Sequence, residues 1–116
     1  MRKNDTERAY QQKKGEESMH FTKNLNGNQL TVALEGRLDT MTAPELDADL
    51  KTSMESVDSL ILDLADLAYI SSAGLRVLLN AHKAMSGKGG MKLVHANEIV
   101  REVLEVTGFA DILNIE

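Results

Sequence analysis

Residues 59–90 read SLILDLADLAYISSAGLRVLLNAHKAMSGKGG. Ser59 to Leu64 is a short, nearly continuous apolar run, and its length and branching fit a buried strand. Leu67, Tyr69 and Ile70 lead from it into Ser71-Ser72. From Ala73 to Met85 the apolar residues fall at helical spacing, with Leu75, Leu78, Leu79, His82 and Met85 as the expected buried stripe. Ser86-Gly87-Lys88-Gly89-Gly90 then stops the helix, and glycine there supplies a left-handed cap. A strand, a sharp entry into a helix and a glycine stop make one unit of an α/β fold. Repeated, such units imply a mainly parallel sheet with right-handed crossovers.

The flanks extend this pattern. On the amino side, Phe21 to Leu25 and Leu30 to Gly36 surround Asn26-Gly27-Asn28. Asn-Gly readily takes the positive φ angles of a tight hairpin turn. In the second arm Leu30, Val32 and Leu34 alternate with Thr31, Ala33 and Glu35, as in a strand with one buried face. Gly36-Arg37-Leu38-Asp39 ends that strand. Thr42-Ala43-Pro44-Glu45 reads as a helix start, with Thr42 as cap, Glu45 reaching back to it and Pro44 in the first turn. Leu46, Leu50, Met54 and Val57 follow at helical spacing. On the carboxyl side, Met91 to His95 is a strand, Ile99 to Thr107 is a helix ended by Gly108, and Ile112 to Ile115 is a last strand or extended tail. The expected fold is one α/β domain over residues 19–116. Its mixed sheet has four or five strands, an antiparallel amino-terminal hairpin and helices packed on it. Residues 1–18, polar and of mixed charge, read as a disordered tail.

Composition narrows the function classes. The chain has 116 residues, enough for one domain, with a formal net charge of -5. That charge disfavours nucleic acid and anionic membrane as direct partners, since both need a basic patch. There is no cysteine, which removes thiolate catalysis and disulfides and suits a cytoplasmic setting. No apolar stretch approaches the length needed to span a bilayer. His20, His82 and His95 are scattered, so no base stands beside a serine and no pair falls at metal-ligand spacing. Nothing in the chain calls for a cofactor or metal, and it reads as a switch or binding module rather than an enzyme.

The candidate site is Tyr69-Ile70-Ser71-Ser72-Ala73-Gly74-Leu75. Two hydroxyls stand where a loop enters a helix, at the end whose free N–H groups and dipole favour an anion. Serine is also a preferred cap, so capping alone accounts for one of them. Gly74 lowers helix propensity in the first turn and so needs a reason, either close packing over the sheet or close approach of a partner.

Gly36-Arg37-Leu38-Asp39, the strand SLILDL, YISSAGLRVLL, the SGKGG loop and the helix before TGF resemble, in order and spacing, the STAS domain. Among such domains the chain is similar to the stand-alone bacterial anti-sigma factor antagonists, over residues 20–115. The resemblance implies an unphosphorylated form that binds an anti-sigma factor with serine kinase activity, so that the partner releases its sigma factor. Phosphorylation would end that binding and a phosphatase would restore it. The family serine falls on Ser72, and the glycine and leucine after it on Gly74 and Leu75. The aspartate of the family's G-x-L-D turn falls on Asp39. The residue before the phosphorylated serine is an aspartate in the family and Ser71 here, and the one after it is Ala73, so Ser71 is the second candidate acceptor. Asp39, Thr40, Ser71, Ser72, Gly74 and Leu75 are the implied partner-binding residues.

Three other readings compete with this one. One is an interaction module of the same family that is not phosphorylated. Another is a phospho-aspartate receiver, which wants its carboxylate at a strand end, whereas Asp63 lies inside SLILDL. The third is a nucleotide hydrolase, but SGKGG lacks phosphate-loop spacing and follows a helix rather than a strand.

Overall fold

The computed structural model describes residues 19–116, so the expectation for residues 1–18 lies outside the described residues. Four strands form one sheet in the order β1-β2-β3-β4. They are β1 (His20–Asn26), β2 (Gln29–Leu38), β3 (Ser59–Ile70) and β4 (Met91–Val94), joined with helices α1 (Ala43–Ser53), α2 (Ser72–Met85) and α3 (Glu98–Val106). β1 and β2 are antiparallel, with Asn26 paired to Gln29. β2–β3 and β3–β4 are parallel. The fold class is therefore the expected one. The fifth strand reduces to a single bridge between Leu93 and Ile115.

The hairpin is a two-residue turn centred on Gly27-Asn28, one residue later than an Asn26-Gly27 centre. Only Gly27 takes a positive φ, 65°, which is the pattern of the turn type that puts glycine first.

β3 runs twice as far as SLILDL suggests. Leu60, Leu62 and Leu64 keep a spacing of two, then Leu67 and Ile70 follow at three. The register shifts opposite Ala33/Glu35 and Gly36/Arg37 explain the change. Each gives β3 one extra residue, which moves the buried face by one position. All five side chains are buried. They join Leu30, Val32 and Leu34 of β2, Leu46 and Leu50 of α1, Leu78 and Met85 of α2, and Val100 and Leu104 of α3 in one core. In α2, Val77 and Ala81 are buried, while Leu79 and His82 are only partly so.

Two helix ends differ from expectation. α2 ends at Ser86 in right-handed conformation. The left-handed glycine is Gly90, φ 91°, whose N–H reaches back to Met85 O at 3.0 Å. The SGKGG loop is also more than a surface turn. Lys88 Nζ donates to Met54 O at 2.6 Å and Val57 O at 3.0 Å, tying it to the end of α1.

At the start of α1, Thr42 makes no side-chain cap bond. Its hydroxyl donates to Arg37 O at 2.8 Å and accepts from Asp39 N–H at 2.9 Å. Asp39 does the work expected of the Thr42–Glu45 pair, since its Oδ1 accepts from the N–H of Met41 and of Thr42.

Candidate functional site

Parallel pairing brings the carboxyl ends of β2 and β3 side by side, with Leu38 opposite Ile70. The two loops that leave those ends are then tied together, because Ser71 N–H donates to Leu38 O at 2.9 Å. One loop carries Asp39, Thr40 and Met41. The other carries Ser71 and Ser72.

The serines divide the tasks. Ser71 is the N-cap of α2, extended at φ -100° and ψ 177°, and its side chain accepts from Gly74 N–H at 3.3 Å. Its carbonyl accepts from Leu75 N–H. Ser72 is the first residue of the helix and is exposed. One hydroxyl is thus engaged in holding the helix end, and the other is presented to solvent. The capping role that serine suggests at this junction belongs to Ser71, so Ser72 stands at the helix start without being its cap.

Gly74 is buried because α2 crosses the sheet at close range. A Cβ there would stand 2.7 Å from Leu38 Cγ, 2.9 Å from Ile70 Cγ1 and 2.9 Å from Leu38 O. Of the two reasons considered for this glycine, packing is the one realised. Leu75 is buried as well. Both are among the implied partner-binding residues, and in the free chain both positions lie under the surface, beneath the helix start that carries Ser72.

Asp39 is largely enclosed, its side chain 19% exposed with Arg37 Nε 3.5 Å from Oδ2. Burial alone would raise its carboxyl pKa. The bonds from the N–H groups of Thr42 and Met41, the Thr42 hydroxyl and Arg37 outweigh that and hold it below the ordinary value. Asp39 therefore shapes its loop from inside. Thr40 is exposed.

Three residues outside the implied partner-binding set, Arg37, Tyr69 and Met41, lie on or beside these two loops. The Arg37 guanidinium lies 4.4 Å from the Tyr69 ring centroid, a cation–π pair between register partners. Met41 is 83% exposed. Arg37 was legible as part of the G-x-L-D turn. Met41 gave no signal, because a lone apolar residue in a loop matches no periodic pattern.

Asp63 sits well inside β3, short of its carboxyl end. Its Oδ1 accepts from Ala65 N–H and lies 3.0 Å from His95 Nδ1, so it offers no free strand-end carboxylate of the receiver kind. Among the described residues no three His, Asp or Glu side chains form a group that could hold a metal ion. No helix among them is long and apolar enough to cross a membrane.

Comparison with known proteins gives the following. A family model of the STAS domain matches residues 20–116. The chain is 35% identical over 99 residues to a Bordetella bronchiseptica protein, BtrV, named as an anti-sigma factor antagonist; the match spans 84% of this chain and 85% of that one. It is 32% identical over 91 residues to the anti-sigma-B factor antagonist of Bacillus subtilis, spanning 78% of this chain and 84% of that protein. In three dimensions it is similar to an anti-sigma factor antagonist from Mycobacterium paratuberculosis, with a TM-score of 0.78 at 21% identity, covering 85% of this chain and 86% of the other.

Proposed function

The chain belongs to the STAS domain family, and from that premise we propose that it is a cytoplasmic anti-sigma factor antagonist switched by phosphorylation of Ser72. Its unphosphorylated form binds an anti-sigma factor that is also a serine kinase. Phosphate on Ser72 ends the complex, and a phosphatase restores the binding form. The curated relatives named as antagonists support the first part of this reading.

The observation that carries the switch is the division between the two serines. Ser72 is exposed at the first position of α2 while Ser71 supplies the cap. A kinase can reach the Ser72 hydroxyl without unfolding the helix end. In the transfer, Ser72 Oγ gives its proton to a base on the partner and bonds the γ-phosphorus of ATP as the bond to ADP breaks.

The product adds a charge of about -1.5 to -2 at one surface point. The first turn of α2 contains no acidic side chain, so the helix end receives that charge favourably. Inside a dry protein–protein interface the same charge is costly unless the partner supplies matching donors. The free phosphorylated chain is therefore favoured over the phosphorylated complex.

A second reading has one observation in its favour. With Ser71 before Ser72 and no carboxylate in the first turn, the acidic feature next to the family serine is absent. A binding module of the same family that is never phosphorylated fits that as well.

Incubation with ATP and candidate anti-sigma kinases from the same genome, followed by phosphopeptide mass spectrometry and calorimetric titration, separates the readings. Phosphate on Ser72 together with weakened binding is the expected result. Phosphate on Ser71 moves the acceptor by one residue. Tight binding without phosphate selects the static module. The absence of both from every candidate overturns the antagonist reading.

A further inference from the structure

We propose that Met41 is the apolar anchor of this surface, entering an apolar socket on the anti-sigma factor beside the place where that partner meets Ser72; the inference rests on the antagonist reading above. Among the described residues Met41 is the most exposed large hydrophobic side chain, at 83%. Its backbone is nonetheless fixed. Met41 N–H donates to Asp39 Oδ1 at 3.0 Å, Thr42 N–H donates to the same oxygen at 3.2 Å, and Ala43 N–H donates to Asp39 O at 2.8 Å. A loop held this way fixes where the side chain leaves the backbone, so the entropy left to lose on binding is that of the methionine rotamers and not of the loop.

The position is continuous with the switch surface. Thr40, next to Met41, lines a shallow depression between α1 and α2 together with Ala43, Pro44, Ala73 and Val77. Ala73 directly follows Ser72. A protein seated over this depression meets Thr40 and Ala73, the chain neighbours of Met41 and Ser72. Methionine adapts its three rotatable bonds to an irregular socket, and buried apolar anchors carry a large share of interface affinity. A second copy of this chain is the weaker occupant. Thr40, Pro44 and Glu45 around Met41 make no broad apolar face of the size a stable dimer needs.

The test is titration of the full chain against the anti-sigma factor that binds it, with Met41→Ala, Met41→Leu and Met41→Glu alongside. The alanine variant is expected to bind about tenfold more weakly and the leucine variant within about threefold of the parent. The glutamate variant is expected to bind more weakly than the alanine variant. Urea midpoints should not move, since the side chain is in solvent. Unchanged affinity for Met41→Ala, with the parent still binding, overturns the anchor and leaves the antagonist reading standing. Failure of the parent to bind any anti-sigma factor overturns both. Sedimentation that shows Met41→Ala converting a dimer to a monomer assigns the residue to self-association and overturns the anchor.

Discussion

A Cβ on Gly74 would stand 2.7 Å from Cγ of Leu38 and 2.9 Å from its carbonyl oxygen, so the helix carrying Ser72 lies as close to the end of β2 as a glycine allows. The carbonyl involved is the one that accepts from Ser71 N–H. It has no room to move without giving up the bond that joins the two site loops.

Gly74→Ala is therefore expected to destabilise the fold by about 1–3 kcal/mol, the usual cost of overpacking. It should also lower phosphorylation of Ser72 by lifting the start of α2. Gly74→Val should be worse on both counts. Urea unfolding and a kinase assay under native conditions check this; an alanine variant as stable as the parent contradicts the close packing.

The two serines should separate stability from modification. Ser71→Ala removes the bond to Gly74 N–H and should cost ~0.5–2 kcal/mol. Ser72→Ala removes an exposed hydroxyl at the first helical position and should change stability by less than about 0.5 kcal/mol. Phosphate incorporation should follow the opposite order, being lost in Ser72→Ala and kept in Ser71→Ala. Thermal melts and phosphopeptide mapping of both variants decide the assignment.

Asp39 predicts a pH dependence of definite sign. Its folded carboxyl lies below the ordinary value of 3.8. The stability this supplies is full above that value and is lost as pH falls through the folded pKa. Asp39→Asn lacks the charge and should be about 1–2 kcal/mol less stable near neutrality. That gap should hold down to about pH 5 and narrow below it. A gap that stays constant to pH 3 would show that the carboxylate charge is not what holds the loop.

How much of this was readable in the chain depends on whether the responsible interaction is local. β2 and α2 follow from periodicity, because Val32 and Leu34, and Leu75 and Leu78, report their buried faces directly. The far half of β3 was hidden because its two bulges break the alternation after Leu64. In the sequence the cap of α1 reads as Thr42 because a capping box is a short-range pattern. Asp39 performs the task through a turn that exists only once Arg37, Asp39 and Thr42 are folded together. Residue chemistry pointed to Ser71-Ser72 together and the resemblance ranked Ser72 first as acceptor, but neither said which hydroxyl caps the helix. That needed the backbone angles which make Ser71 the cap.

Lys88 illustrates a non-local contact that sequence spacing cannot show, and it gives the last prediction. Its ammonium group donates to Met54 O and Val57 O, carbonyls just past the end of α1. Gly89, beside it, is packed so close to Asp58 O that a Cβ would come within 2.6 Å. The loop is therefore locked to the amino end of β3, where Leu60 N–H donates to Gly90 O. This is the end of the sheet opposite Ser72. Lys88→Met keeps most of the apolar stem and removes both part-buried bonds. The expected loss is about 1–3 kcal/mol. Partner affinity and phosphorylation should stay at parental levels under native conditions, since nothing at the carboxyl ends of β2 and β3 depends on Lys88. Chemical denaturation paired with a titration measures both quantities on one sample. Loss of binding at full native occupancy would mean that the two ends of the sheet are coupled, and the loop would then belong to the switch rather than to the scaffold.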